Sequence, residues 1–313
     1  MSNTGVFIFD EIFKSMVSDA QLSSLKALSA ELYIIDSKCR IADYQALKNP
    51  HTQKVLCINP DFVDWHFPSE EYKNIPGLKV IISSSDDISW LDTGYADGHN
   101  IRCAALENLT TEYSAVAEYA VTIMMSLARN IPLLTRNNFP LDYAHDFVKH
   151  QGLDIANKTV GIIGLGNIGQ AITKLCDSLG MKVTYWSRSR KPNSYEYREI
   201  DEVLRESDVI FPTLKPNNET RLLLPNSKLE LIKNDAIVVS VVSELTDNDY
   251  LAKRTAEKKL FGFGFGADPR AFSNYSGNVW AVPDYAWATR NNMRASYDQF
   301  VEIIRKNTAQ VSQ

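Results

Sequence analysis

The chain has 313 residues, of which 44% are hydrophobic and 23% charged, and it carries a formal net charge of -5. That length and balance suit a globular protein of two domains, and the acidic excess argues against general binding to nucleic acid or membrane surfaces. No apolar run is long enough to span a bilayer, and the first residues lack the basic start and apolar core of a secretion signal. Cys39, Cys57, Cys103 and Cys176 are scattered without C-x-x-C spacing. They fit free thiols in a reducing cytoplasm better than a metal site or a disulfide framework.

In chain order, short apolar runs at Val6–Phe9, Leu32–Ile35, Val55–Ile58, Lys79–Ile82 and Ile101–Ala104 read as strands. Helical patterns at Asp19–Ser29, Ser69–Asn74 and Leu91–Asp97 lie between them. This alternation predicts a parallel sheet with helices on both faces. A long helix, Glu112–Arg129, is apolar around much of its circumference, as a helix buried between domains or subunits would be. The loop-rich stretch 137–150 is a candidate hinge.

The apolar run Thr159–Ile163 then opens the most informative segment. Gly164, Gly166 and Gly169 follow it with G-x-G-x-x-G spacing, and a helix and a second strand, Lys182–Trp186, come next. In this context Gly164 permits the tight turn, Gly166 lets backbone approach a pyrophosphate, and Gly169 lets helix and strand pack closely. The amides of Asn167 and Ile168 would open a helix N-terminus that favours an anion. The segment therefore predicts a dinucleotide site.

The end of the second strand bears on which dinucleotide. An acidic residue there would bind the ribose 2′-hydroxyl of NAD. This chain has Ser187, Arg188, Ser189 and Arg190. Guanidinium groups pair with phosphate, and no carboxylate is present at this strand end to repel one, so NADP(H) is favoured over NAD(H). The plainer alternative is a solvated basic turn. Further strands are expected at Asp208–Phe211, Ala236–Val241, Leu260–Phe265 and Val279–Val282, with helices at Ile200–Glu206, Asp247–Lys258 and Asn291–Lys306. Thr213, Thr220 and Val241, at or beyond strand ends, complete the expected cofactor-binding set. The alternation in Phe261–Gly266 fits a strand with one glycine face, where a ring or another backbone comes close.

Several segments carry a resemblance to the D-2-hydroxyacid dehydrogenase family across nearly the whole chain. They are Pro76-Gly-Leu-Lys-Val-Ile, Ser114-Ala-Val-Ala-Glu-Tyr-Ala, the glycine motif, Ser207-Asp-Val-Ile, Asn218-Glu-Thr and Asn278-Val-Trp-Ala-Val-Pro. The Trp186-Ser-Arg-Ser-Arg ending resembles the NADP-preferring glyoxylate and hydroxypyruvate reductase branch. The resemblance implies an α/β protein of two Rossmann-like domains with parallel sheets. A substrate domain of residues 1–107 and 291–313 would hold an inserted cofactor domain, 108–290. It also implies hydride transfer to a small-molecule substrate in the cleft between them, and a homodimer built around the long helix.

The family's catalytic groups do not carry over. Its histidine position, after Pro283, holds Asp284, and its substrate-binding arginine position holds Ser243, followed by Glu244. Its Glu-Pro pair is matched most nearly by Asp268-Pro269, and its carboxylate-gripping loop by Ser84, Ser85, Asp86 and Asp87. Trp287 stands where the family often has glycine. At about 4 Å and an effective dielectric near 20, each contact between one of these acids and a carboxylate substrate would cost about 4 kcal/mol. The expectation is therefore an NADP-dependent reductase acting on a carbonyl or imine of a neutral or cationic molecule. Asp284, Asp268 and Ser243 are its catalytic candidates, and Ser85, Asp86, Asp87 and Trp287 its substrate-binding ones. Two alternatives stay open: an inactive NADP(H)-binding protein, and an ordinary 2-keto acid reductase. No histidine–cysteine cluster has metal-ligand spacing.

Overall fold

The computed structural model describes residues 3–107, 109–136, 145, 148–192, 194–217, 219–242, 244–267 and 275–311. The chain divides into two compact units, Met1–Thr111 with Arg290–Gln313, and Glu112–Thr289.

The first unit is built on five strands: β1 (Thr4–Phe9), β2 (Glu31–Ile35), β3 (Gln53–Ile58), β4 (Leu78–Ser83) and β5 (Arg102–Ala104). Their order is β2-β1-β3-β4-β5, and every neighbouring pair is parallel. Helices α1 (Phe13–Met16), α2 (Asp19–Leu28), α3 (Ser69–Lys73) and α4 (Thr93–Gly98) connect them. A capping box starts α2. Ser18 Oγ accepts the Gln21 N–H, and Gln21 Oε1 accepts the Ser18 N–H at 2.8 Å. Strand β1 is buried throughout because successive side chains feed two cores. Phe7 and Phe9 join Leu56, Ile58, Ile81 and Tyr72 on one face. Val6 and Ile8 join Val55, Cys57, Val80 and Ile82 on the other, under Tyr297, Phe300, Val301 and Ile304 of the C-terminal helix Arg290–Val311.

The second unit contains helices α5 (Thr110–Ala128, which begins just before the unit boundary), α6 (Ile131–Arg136), α7 (Asn167–Ser178), α8 (Ile200–Glu206), α9 (Asn226–Leu229) and α10 (Asn248–Ala256). Its seven strands are β6 (Thr159–Ile163), β7 (Lys182–Trp186), β8 (Glu196–Tyr197), β9 (Val209–Pro212), β10 (Ile237–Ser240), β11 (Gly262–Gly266) and β12 (Val279–Val282). They lie in the order β12-β11-β10-β9-β6-β7-β8, all parallel. One core packs α5 and α7 on the sheet through Met124, Leu127, Ile172 and Cys176, and the other packs α8, α9 and α10 through Val203, Leu229 and Leu251. Because every strand is parallel, the segments after β6, β7, β9, β10, β11 and β12 emerge at one edge. From β6 the chain winds first to β7 on one side and then to β9 on the other. The crevice at such a reversal is where ligands of these sheets bind.

The glycine strand has a structural explanation. A Cβ at Gly264 would stand 2.2 Å from Ile123 Cγ2 and 3.2 Å from Leu127 Cδ1, so its glycine face receives α5. Phe263 and Phe265 stack on the opposite face with centroids 4.8 Å apart. Asn278 Nδ2 reinforces the contact by donating to Leu127 O at 2.9 Å and Phe261 O at 3.2 Å. The close neighbour expected from the sequence is thus a helix with aliphatic side chains. The candidate hinge 137–150 lies mostly outside the described residues. Among the described residues no helix is long and apolar enough to cross a membrane. Gly264→Ala is expected to lower stability by about 1–3 kcal/mol, since a β-branched neighbour cannot swing aside; urea unfolding of the full chain measures it.

Candidate functional site

The glycine turn after β6 is built from contacts that exclude side chains. Gly164 has φ +108, and a Cβ there would meet Leu214 N at 3.0 Å. A Cβ on Gly169 would stand 2.2 Å from Gly164 O, so the first turn of α7 rests directly on the strand end. The Thr213 hydroxyl donates to Gly164 O at 2.6 Å and locks that carbonyl. Thr213, expected at the cofactor, is buried and engaged with the turn itself. Gly166 differs from its neighbours: a Cβ on it meets nothing within 4 Å. It is the N-cap of α7, and no side chain caps that helix. The amides of Asn167 and Ile168 therefore open the positive end of α7 beside an open cradle. This geometry fits a dinucleotide pyrophosphate.

Beyond β7, the Ser187 hydroxyl donates to Ser189 O at 2.6 Å and shapes the turn that carries Arg188. Arg190 turns aside, its guanidinium 4.8 Å from the centre of the Tyr197 ring on β8. Arg188 stays exposed and pairs with Glu219 at 2.9 Å. The turn itself carries no carboxylate, but one reaches it from another segment. Glu219 comes from the loop after β9, which Thr220 stabilises: its Oγ accepts the Asn217 N–H at 2.8 Å and donates to Lys215 O at 2.7 Å. Val241 follows β10 and is buried.

The acids expected to surround the substrate have different surroundings. Asp284 follows β12, and one of its oxygens lies 3.3 Å from where a Cβ on Gly266 would stand. Burial pushes the Asp284 carboxyl above its ordinary pKa, although the residue as a whole stays open to solvent. Beside it the Tyr119 hydroxyl donates to Pro283 O at 2.8 Å. Burial, and then the charge of Asp284, raise the Tyr119 pKa. Tyr119 is the residue that sequence reasoning missed; it lay inside the recognised Ser114–Ala120 segment but was read only as part of a buried helix. Glu244 adopts φ +66 and accepts from Arg221 Nε at 2.7 Å, so its charge is compensated. In the first unit, Asp87 Oδ1 accepts the Ser89 N–H at 2.8 Å, and Ser85 Oγ accepts the Asp87 N–H at 3.1 Å. These bonds make the loop after β4 a self-supporting turn, with Asp86 exposed at its tip. Trp287 is 40% exposed. Ser243 and Asp268 lie outside the described residues.

A parallel sheet with a glycine-lined helix N-terminus at its reversal point is the architecture of a dinucleotide-binding domain. Residues 121–268 match the family model of the D-isomer specific 2-hydroxyacid dehydrogenase, NAD binding domain. A glyoxylate reductase of Thermococcus onnurineus is 34% identical over 209 residues, covering 63% of this chain and 61% of the relative. One from Thermococcus kodakarensis is 28% identical over 209 residues, covering 63% and 62%. The chain thus spans under two thirds of the length of these curated relatives. Among solved structures, an acyclic imino acid reductase in complex with NADPH and D-Arg superposes with a TM-score of 0.77 at 20% identity, covering 99% of this chain and 98% of the other. A glyoxylate reductase from Paecilomyes thermophila gives 0.80 at 18% identity, covering 98% and 96%. Both share the fold.

The two helix glycines make contrasting predictions. Gly166→Ala should leave the melting transition nearly unchanged and weaken nicotinamide-nucleotide binding by about tenfold or more. Gly169→Ala should instead destabilise the fold by about 1–3 kcal/mol. Thermal melts paired with nucleotide titrations separate the two, and undiminished binding by the Gly166 variant would remove the pyrophosphate from this cradle.

Proposed function

We propose that the protein is an NADP(H)-dependent oxidoreductase of the D-2-hydroxyacid dehydrogenase superfamily that reduces the carbonyl or imine carbon of a neutral or cationic small molecule. The observation that carries this reading is Asp284. It is a partly desolvated carboxyl at the strand edge that also bears the glycine cradle, with a raised pKa and, among the described residues, no cationic side chain acting to lower it. A keto-acid reductase needs positive charge to hold its substrate and stabilise the developing alkoxide. An acid suits a substrate that is uncharged or positive.

Arg188, with Ser187 and Ser189 shaping its turn, is assigned to the 2′-phosphate, and Arg190 lies further along the same segment. The amides at Gly166, Asn167 and Ile168 are assigned to the pyrophosphate. Bound NADPH would supply the hydride. Protonated Asp284 gives its proton to the carbonyl oxygen, or as the carboxylate it stabilises a protonated imine nitrogen. Tyr119, through Pro283 O, holds the backbone that carries Asp284. Asp268 and Ser243 are assigned to its neighbourhood, and Ser85, Asp86, Asp87 and Trp287 to substrate contacts. The working unit is read as a homodimer around α5, whose Met125 is 38% exposed. An architecture that accommodates an imino acid reductase with NADPH supports this reading at the level of the fold. The second reading is glyoxylate reduction, favoured by the names of the curated relatives.

NADPH oxidation against a panel of ketones, imines and keto acids decides between them, with robust glyoxylate turnover favouring the second. Arg188→Ala is expected to weaken NADPH by about ten- to a hundredfold, the worth of charged hydrogen bonds to phosphate, while leaving NADH nearly unchanged. Asp284→Asn is expected to lower kcat for carbonyl reduction by about 10²–10⁴. The protonated carboxyl is the active form in that reaction, so wild-type kcat should fall as pH rises through the raised pKa of Asp284. The variant should lose this limb, and a retained limb would exclude Asp284 as the acid.

A further inference from the structure

We infer that Glu219 is a built-in competitor for the 2′-phosphate of NADP(H), holding Arg188 across the nucleotide crevice and so restraining the preference for NADP(H) over NAD(H). This rests on the reading of Arg188 as the 2′-phosphate ligand.

The sheet order puts β6 between β9 and β7. Neighbouring strands are about 4.8 Å apart, so the ends of β7 and β9 are separated by roughly 10 Å, with the glycine turn between them. Arg188 follows β7 and Glu219 follows β9, and their side chains meet at 2.9 Å. The ion pair therefore joins the two segments that flank the nucleotide cradle. Both side chains are more than three-quarters exposed, at 79% and 78%, so an entering ligand can reach either one.

The loop presents this carboxylate by design of its backbone. Asn217 Oδ1 accepts the N–H groups of both Glu219, at 2.9 Å, and Thr220, at 3.0 Å. Two neighbouring cations are engaged elsewhere, Arg221 with Glu244 and Arg190 over Tyr197. Glu219 and Arg188 pair with each other. A 2′-phosphate is a doubly charged acceptor with the geometry that a guanidinium prefers, so it displaces the carboxylate. Once displaced, Glu219 faces a like charge. NADH has a hydroxyl at this position, which neither recruits Arg188 nor is repelled by Glu219. Because the pair is exposed, its influence is a modest, salt-sensitive adjustment of affinity.

The test measures NADPH and NADH dissociation constants by nucleotide fluorescence for the full-length wild type, Glu219→Gln and Arg188→Ala, at low and high salt. Glu219→Gln is expected to tighten NADPH by about three- to tenfold at low ionic strength, to leave NADH within about twofold, and to lose most of its gain near 0.5 M salt. Unchanged or weaker NADPH binding by Glu219→Gln, with Arg188→Ala still losing NADPH selectively, would overturn the competitor role alone. Weaker NADH binding by Glu219→Gln would also overturn it, making Glu219 an acceptor for the ribose hydroxyl. If Arg188→Ala leaves the NADPH-to-NADH ratio unchanged, the assignment of the 2′-phosphate fails and the inference falls with it. Matching melting curves for the exposed-site variants establish that the fold is intact.

Discussion

The contact between Gly169 and the Gly164 carbonyl governs the geometry of the nucleotide site. Removing one side chain lets α7 start directly on the end of β6, at a distance where even a methyl group would stand 2.2 Å from oxygen. That approach aims the unpaired amides of the first helical turn into the crevice at the winding reversal. Thr213, reaching from the end of β9, fixes the same carbonyl by a 2.6 Å hydrogen bond. The turn is held from both sides, while Gly166 at its tip has open space around it. Rigid backbone around a small empty volume limits the ordering that a pyrophosphate must impose when it binds.

Charges along the same sheet edge follow an uneven pattern. Arg188 pairs with Glu219, and Arg221 with Glu244, so the segments after β7, β9 and β10 are linked by opposite charges. Exposed pairs of this kind contribute only about 0–1 kcal/mol each to folding. Their larger effect is on local potential, because each cancels a charge that would otherwise act on a ligand. Among the described residues Asp284 has no such cancellation, and it lies against the bare backbone of Gly266. The acid-rich surroundings expected from the sequence thus reduce, in the second unit's described residues, to one uncompensated carboxyl. Glu244 keeps a left-handed backbone conformation unusual for a side chain of its kind, where the chain turns after β10.

The strands and the glycine cradle were legible because they depend on neighbours in sequence. Uninterrupted apolar runs located β6, β7 and β12 to the residue, and G-x-G-x-x-G spacing placed the turn and its helix. Alternation within β1 also encoded its two cores. Contacts between distant segments were not legible. Glu219 reaches Arg188 across 31 residues, and Tyr119 reaches Pro283 across 164. No local pattern announces either approach. The glycine face of β11 was visible as a demand for a close neighbour, but its identity, Ile123 and Leu127 of α5, required the packed sheet. Strand β8 spans only Glu196–Tyr197, too short for any periodicity. The starts of β10 and β11 slipped because their apolar runs begin before their hydrogen-bonded ladders.

The C-terminal helix covers a sheet face whose strands are all made at the other end of the chain. Tyr297, Phe300 and Ile304 shield Val6, Ile8 and Val55, so this layer cannot close until residues 290–311 are synthesised. At translation speeds of about 5–20 residues per second, the intervening segment takes roughly 10–35 s to emerge. During that interval a nascent chain carries a bare greasy surface on its earliest-made portion. Holding by a chaperone, or prior folding of the inserted unit, would keep that surface from sticking to others until the covering helix emerges.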